Sequence, residues 1–386
     1  MIPYGRQKIS NQDVEAVVAV LRSDFLTQGP KVPEFEAALC MLTGAKHAVA
    51  MNSATSALHA ACLALGLGPG DRLWTTPITF VASANCGIYC GATVDFVDID
   101  AETFNLCTTS LEQKLIAAAK NNTLPKILVP VHFGGNPCDM TKIKQLSLTY
   151  GFRIIEDASH AIGAQHHRSK IGSGAYSDIT VFSFHPVKII TSGEGGAALT
   201  NDHQIAGKLE ALRSHGISRD PAIFKNDINE PWYYEQSTLG FNFRMNDIEA
   251  ALGLSQLDSL ESFSFRRRQI AKTYQERLAH LPVAEQLVCE QDESGWHLYV
   301  IRLLHLDSQQ RNTLFRSMRT AGIGVNLHYI PVHIHPYYKA MGFRYGDFPA
   351  SEQYYKEAIS LPMYPDLSLD DQEKVVKVLT ASLVHK

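Results

Sequence analysis

Short apolar runs alternate with helical patterns from about residue 45 to residue 200 of the chain. Strands are predicted at 47–52, 72–76, 93–98, 126–131, 153–156, 179–183 and 196–200. Helices are predicted between them at 54–67, 81–90, 110–121 and 141–150. Several of these strands lack polar alternation, which is typical of a mainly parallel sheet covered by helices on both faces. The pattern therefore predicts an α/β fold.

A long helical pattern over 248–280 leads into a second segment. There, strand-like runs at 296–302 and 324–328 alternate with helical patterns at 308–320 and 351–360, which predicts a βαβ-like unit. The charged cluster Arg266–Arg268 is expected on a solvated helix face. We place the domain boundary near 255, giving a large domain over 1–255 and a small C-terminal α/β domain over 256–386.

The composition limits the kinds of molecule that the chain is expected to bind. The 386 residues are 45% hydrophobic and 19% charged, which is typical of a folded chain with two or three domains. The formal charge of −4 offers no basic excess for nucleic acid or an anionic membrane. The sequence begins without a secretory signal pattern, and its seven cysteines form no spaced framework. We expect a cytoplasmic protein that binds neither nucleic acid nor membrane.

The candidate chemistry lies at predicted strand ends, where parallel sheets bind their ligands. Residues 52–57 (Asn-Ser-Ala-Thr-Ser-Ala) lie between a strand and a helix, where free N–H groups and the positive helix end favour a phosphate. Taken alone, the segment is equally consistent with an ordinary helix cap. Asp157, at the end of an apolar strand, is either a cap at the core edge or the partner of a protonated ring nitrogen.

Lys188 follows among apolar residues and prolines, before a glycine-rich turn. A lone lysine there would ordinarily reach solvent, but burial would lower its pKa and make the amine a nucleophile for Schiff-base chemistry. A phosphate cradle, an acid and a lysine in this order match the phosphate, ring nitrogen and aldehyde of pyridoxal 5′-phosphate (PLP). The combination, rather than any one residue, predicts a PLP site.

A set of ordered motifs extends this prediction to a family. The sequence contains Asp157-Ala-Ser-His160, Ser183-Phe-His-Pro-Val-Lys188, Thr191-Ser-Gly-Glu-Gly-Gly196, Arg213-Ser-His-Gly216 and Gly240-Phe-Asn-Phe-Arg-Met-Asn246. Over nearly its whole length, the chain resembles the sugar aminotransferases of the DegT/DnrJ/EryC1/StrS family. The resemblance implies a PLP-dependent transferase of fold type I, similar to aspartate aminotransferase, that acts as a homodimer.

The resemblance also implies roles for individual residues. Lys188 would bind the cofactor aldehyde and move the proton between substrate and cofactor, and Asp157 would keep the pyridine nitrogen protonated. The other cofactor-binding residues would be His160 near the ring hydroxyl, Ala54, Thr55 and Ser183 at the phosphate, Phe80 stacked on the ring, and Asn242 from the other subunit.

Within the family, the sequence resembles members that aminate C4 of a UDP-linked 4-keto-6-deoxy-N-acetylhexosamine on the pseudaminic acid pathway. L-Glutamate would be the amino donor. The implied substrate-binding residues are Tyr4, Asp24, Phe25, Leu26, Thr27, Ser183, Asn242, Leu327, His328, Tyr329 and Ile330.

Three alternatives remain open at this point. In the first, the substrate is a dTDP- or GDP-linked keto sugar. In the second, the chain binds a sugar or an amine without turnover, although the intact Lys188, Asp157 and Ser183 argue against this. The third alternative is a metal-dependent hydrolase that uses His328, His333 and His335. Their spacing matches no standard zinc pattern, and we predict no metal site.

Overall fold

The computed structural model describes residues 1–226, 228 and 230–384. The strands are β1 (His47–Met51), β2 (Arg72–Thr75), β3 (Thr93–Phe96), β4 (Ile127–Leu128), β5 (Arg153–Asp157), β6 (Gln165–His166), β7 (Ser169–Lys170), β8 (Ile179–Ser183), β9 (Gly196–Thr200), β10 (Ile217–Ser218), β11 (Glu235–Gln236), β12 (Val283–Glu285), β13 (Tyr299–Leu303) and β14 (Ala358–Leu361). The helices are α1 (Asn11–Leu21), α2 (Lys31–Thr43), α3 (Ala54–Ala64), α4 (Ala82–Tyr89), α5 (Thr108–Lys120), α6 (Met140–Tyr150), α7 (His203–Arg213), α8 (Asp247–Asp258), α9 (Leu260–Leu278), α10 (Ser308–Thr320), α11 (Pro336–Lys339), α12 (Pro349–Glu357) and α13 (Leu369–Val384). Among the described residues, no helix is both long and apolar enough to cross a membrane.

Seven strands form the central sheet, in the order β1-β9-β8-β5-β4-β2-β3. Neighbours from β8 to β3 pair in parallel, whereas β9 is antiparallel to both β1 and β8. Alternate side chains of β1 enter different core clusters: Val49 packs with α3 and α4, and Ala50 packs with α2. The sheet is therefore buried on both faces, and the predicted mainly parallel sheet is confirmed.

The C-terminal segment is built differently from the prediction. Strands β12, β13 and β14 form an antiparallel sheet rather than a βαβ unit, and α9, α10 and α13 pack against it. Residues 358–360, expected to be helical, belong to β14, and the expected strand 324–328 contributes one bridge between Asn326 and Ser360. Short apolar runs such as Ala358–Leu361 cannot be assigned from periodicity alone, which explains the error.

The predicted long helix is two helices that meet at Ser259. Residue 255 lies inside α8, and the division into domains at 255 stays a prediction. The expectation of a solvated arginine face is wrong for Arg267, which is 1% exposed. Its guanidinium donates to the backbone oxygens of Trp296 and His297, 3.0 and 3.2 Å away. Arg267 therefore fixes the segment that precedes β13.

Candidate active site

A cavity of about 400 Å³ opens at the carboxyl ends of β5 and β8. The structure brings together here many of the residues singled out from sequence: Tyr4, Ala54, Thr55, Phe80, Asp157, His160, Ser183, Lys188, Leu327, His328 and Tyr329. The lining also includes residues that the sequence did not single out, among them Thr79, Glu194, His297 and Asn326. The strand-end rule thus located the cavity correctly.

One wall of the cavity is the N-terminus of α3. The Ser53 side chain caps the helix by accepting from the Ser56 amide at 3.1 Å, while the amides of Ala54 and Thr55, in the first turn, have no acceptor within the helix. Gly196 allows β9 to approach closely, since a Cβ there would lie 2.4 Å from the Ala54 nitrogen. Ser183 is directly opposite Gly196 in the sheet. Helix amides and a hydroxyl therefore form an anion cradle.

Asp157 lies at the opposite wall and is 4% exposed. Its Oδ1 accepts from the Ser159 amide at 3.1 Å, and its Oδ2 accepts from Ser83 Oγ at 2.6 Å. Ser83, in α4, is in turn 2.7 Å from the Thr79 hydroxyl. The carboxylate is thereby held at the cavity with acceptor capacity to spare.

Lys188 follows β8, and its backbone amide donates to the His185 oxygen at 2.8 Å. Burial lowers the pKa of its amine to about 8, although the negative charge of Asp157 acts in the opposite direction. About a tenth of the amine is therefore neutral and nucleophilic at pH 7, far more than for a lysine with its ordinary pKa, as Schiff-base chemistry requires.

Three histidines and a tyrosine form a further wall of the cavity: His160, His297, His328 and Tyr329. His160 Nδ1 accepts from the Gly134 amide at 3.3 Å, so that Nε2 carries the proton and donates to Tyr329 Oη at 3.2 Å. The His297 ring lies 4.4 Å from that of His160, and His297 Nδ1 is buried without a partner among the described residues. Burial, with the nearby Lys188 charge, lowers the pKa of His328 to about 3. Burial likewise holds the pKa values of His160 and His297 well below normal, so this wall is uncharged.

Several predicted site residues do not line this cavity: Asp24, Phe25, Leu26, Thr27, Asn242 and Ile330. Asn242 is exposed and forms a bridge with Ser214, and the Leu26 oxygen accepts from the Asp247 amide at 3.0 Å. Their roles stay predictions. Thr79 and Ser83 were missed, although both follow the carboxyl end of β2 and the strand-end rule could have found them. His297 carried no comparable signal in the sequence.

Two of the three histidines of the metal hypothesis have other partners. His328 Nδ1 lies 2.8 Å from Ser360 Oγ, and His333 Nε2 lies 3.0 Å from Glu352 Oε1. Within the described part of the chain, the ligand atoms of one His/Cys/Asp/Glu group lie close enough together for a metal, those of His166, His167 and Asp292. His166 already uses both ring nitrogens, toward Asp292 and Thr141, which argues against a ligand role there.

Each functional group of PLP has a matching group in the cavity. The α3 cradle suits the phosphate, Asp157 suits a protonated ring nitrogen, and Lys188 suits the aldehyde. His297, whose buried Nδ1 has no partner among the described residues, also lines the cavity. Fold and site together define a PLP-dependent enzyme of fold type I.

Comparison with known proteins defines the family. The model of the DegT/DnrJ/EryC1/StrS aminotransferase family matches residues 7–380, and the chain belongs to this family. It is 40% identical over 385 residues to the spore coat polysaccharide biosynthesis protein SpsC of Bacillus subtilis, covering 98% of this chain and 96% of that protein.

Two further similarities concern named sugar aminotransferases. The chain is 38% identical over 389 residues to the UDP-4-amino-4,6-dideoxy-N-acetyl-beta-L-altrosamine transaminase of Campylobacter jejuni, covering 100% of this chain and 98% of that one. Its structure superposes on Helicobacter pylori PseC, an aminotransferase involved in the biosynthesis of pseudoaminic acid, with a TM-score of 0.91, 30% identity and full coverage of both chains. The protein is thus a sugar aminotransferase, and its cofactor is PLP.

Proposed function

We propose that this enzyme transfers the amino group of L-glutamate to C4 of UDP-2-acetamido-2,6-dideoxy-β-L-arabino-hex-4-ulose, a UDP-linked 4-keto-6-deoxy-N-acetylhexosamine, in pseudaminic acid biosynthesis. The observation that carries the proposal is the cavity, in which Lys188, Asp157 and the α3 cradle lie beside a wall of uncharged aromatic side chains. The names of the Campylobacter and Helicobacter relatives support this particular sugar.

The chain's own residues divide the work between binding and proton transfer. PLP, when bound, supplies the electron sink. The α3 amides with Ser183 hold its phosphate, and Asp157 keeps its ring nitrogen protonated. Lys188 Nζ holds the cofactor between turnovers and moves a proton to or from the substrate carbon, for which its lowered pKa suits it. The donor and acceptor half-reactions use the same site in turn.

The aromatic wall would receive the nucleotide sugar. The Tyr4 ring lies 5.5 Å from that of His328, and the Phe80 ring lies 6.3 Å from that of Tyr329. Phe80 is 58% exposed at the cavity mouth, where its ring is available to stack on a planar ligand. Because the wall carries no charge, it suits the sugar hydroxyls and the base of the substrate rather than its diphosphate.

The substrate assignment is tested by turnover with three nucleotide sugars. Purified enzyme is supplied with L-glutamate and the matching UDP-, dTDP- or GDP-linked 4-keto sugar, and 2-oxoglutarate release is measured. We expect the UDP sugar to give the highest kcat/KM, with the C4 amine confirmed by NMR. Preference for the dTDP or GDP sugar would replace the substrate assignment while leaving the aminotransferase activity intact. No turnover with any sugar, at full PLP occupancy, would contradict the proposal.

We further propose that the enzyme works as a homodimer in which Asn242 completes the partner's site. In support, Asn242 is exposed and lies outside the cavity of its own chain, and the side chains of Trp232 and Leu239, which precede it along the chain, are 73% and 76% exposed. Apolar side chains this exposed are typical of an interface.

Mixed dimers test this arrangement. Dimers of Lys188→Ala with Asn242→Ala chains, purified by two tags, contain one site with both residues only if Asn242 acts across the interface. We expect about half the wild-type activity per dimer, since one of two sites is intact. Each variant alone should be nearly inactive. If Asn242 acts within its own chain, the mixed dimer has no intact site and will also be inactive.

A further inference from the structure

A chain of two buried hydroxyls, those of Thr79 and Ser83, leads to the Asp157 carboxylate. Ser83 Oγ lies 2.6 Å from Asp157 Oδ2, and Thr79 Oγ1 lies 2.7 Å from Ser83 Oγ. Ser83 is fully buried, and Thr79 and Asp157 are 2% and 4% exposed. Three separate elements meet here, because Thr79 follows β2, Ser83 lies in α4 and Asp157 ends β5.

The direction of these hydrogen bonds follows from the donors available. The Ser83 hydroxyl has two acceptors within reach, Asp157 Oδ2 at 2.6 Å and the Phe80 oxygen at 3.3 Å, and its single proton goes to the nearer, charged carboxylate, which can only accept. Ser83 must then accept from Thr79, which fixes the order Thr79 to Ser83 to Asp157. The Ser159 amide holds the other carboxylate oxygen at 3.1 Å. Each oxygen of Asp157 therefore has one fixed donor, and the orientation of the carboxylate is set before any ligand arrives.

We infer that Ser83, supported by Thr79, is a positioning residue that orients Asp157 toward the ring nitrogen of the cofactor. The inference rests on the role proposed above for Asp157. Its consequence is specific: Ser83 should matter for ligands that have a ring nitrogen and much less for ligands that lack it. A residue that only stabilises the fold would not distinguish between the two.

The cofactor-free enzyme provides the test. Its dissociation constants are measured by titration with PLP and with 1-deazapyridoxal 5′-phosphate, in which carbon replaces the ring nitrogen. In Ser83→Ala the dissociation constant for PLP should rise by about tenfold, because a charge-assisted hydrogen bond is lost. The dissociation constant for the deaza analogue should change by less than about twofold. Ser83→Thr keeps the hydroxyl and should restore the wild-type ratio of the two dissociation constants. Thr79→Val should raise the constant for PLP by about threefold.

Thr75 offers a matched control. Its hydroxyl is also fully buried and donates to the Val129 oxygen at 2.8 Å, but it does not line the cavity. Thr75→Val therefore loses a buried hydroxyl bond in the same region of the sheet. We expect it to lower the melting temperature about as much as Ser83→Ala while leaving the ratio of the two dissociation constants unchanged.

The outcomes separate this inference from the role of Asp157. Equal weakening of both ligands by Ser83→Ala, or no weakening of either, would overturn the inference. If wild type binds PLP and the deaza analogue equally and Asp157→Asn changes neither, then the proposed role of Asp157 fails instead. Should Ser83→Ala not fold, the ratio for Thr79→Val still decides the question, because an unchanged ratio there would overturn the inference.

Discussion

Glu156 and Asp157 are neighbours in β5, yet they belong to two different regions of the molecule. Successive side chains of a strand point to opposite faces, so Asp157 faces the cavity and Glu156 faces away from it. Glu156 accepts from His132 Nε2 at 2.8 Å, from Thr180 Oγ1 at 3.1 Å and from Ser177 Oγ. Asp157 has two donors and shares the cavity with Lys188.

The difference shows how one strand uses two buried carboxylates. Burial tends to raise the pKa of Glu156, but its hydrogen bonds to His132, Ser177 and Thr180 outweigh burial and leave the pKa lowered. The protein itself thus satisfies Glu156, whose role is to hold the sheet together. Asp157 keeps acceptor capacity for a ligand. Buried acids at strand ends therefore divide into structural and chemical ones by the partners already present.

Removing the lysine beside Asp157 should have the largest effect. Lys188→Ala should lower kcat by on the order of 10⁴-fold, because both the covalent attachment and the proton transfer are lost. The measurement is single-turnover 2-oxoglutarate release, with the visible spectrum recorded in parallel. A variant that keeps the wild-type band and more than a tenth of the activity would contradict the assignment of Lys188.

Exchanging carboxylate for amide at the two positions tests the comparison directly. Asp157→Asn should lower kcat by roughly 10²- to 10³-fold with little loss of stability, since it removes a charge at the reacting group. Glu156→Gln should destabilise the fold by about 2 kcal/mol, because a buried donor loses its acceptor, and should leave kcat within about threefold. Denaturant melts and kinetic measurements on both variants test this prediction. If Asp157→Asn destabilised the fold and Glu156→Gln lowered kcat, the two roles would be reversed.

The lowered pKa of Lys188 predicts a pH dependence for cofactor loading. The amine reacts only when neutral, and with a pKa of about 8 its neutral fraction rises through that pH. The rate at which cofactor-free enzyme binds PLP covalently should therefore increase about tenfold from pH 7 to pH 9 and then level off. Stopped-flow absorbance measures this rate. A rate that keeps rising in proportion to hydroxide from pH 7 up to about pH 10 would show an unshifted lysine.

The smallest effect is expected from changing Ser177, which donates a hydrogen bond to Glu156. Ser177→Ala should cost about 1 kcal/mol of unfolding free energy at neutral pH. Because the pKa of folded Glu156 is lowered, its contribution is present above the ordinary pKa of about 4.5 and disappears as the pH falls through the folded value. The difference in unfolding free energy between wild type and Ser177→Ala should therefore narrow once the pH falls below the ordinary value, as urea melts in a series of decreasing pH from 7 would show. A constant difference would mean that the bond does not depend on ionised Glu156.

Much of the fold followed from local pattern, and the failures have physical causes. The strand at 179–183 and the helix at 308–320 were correct in both bounds, because each has clear periodicity and clear ends. The C-terminal sheet was misjudged because antiparallel pairing of β13 with β14 depends on contacts more than 50 residues apart. Arg267 was expected in solvent, but its backbone acceptors come from distant segments.

The sequence by itself determined the family and the principal chemical groups, since Asp157, Lys188 and the 52–57 segment carry recognisable residues at the ends of predicted strands. Tertiary structure alone decided which groups support them. Ser83 meets Asp157 across 74 positions of the chain, and His160 meets Tyr329 across 169. Local propensity carries no information about such contacts, because they form only when the sheet and its covering helices pack together.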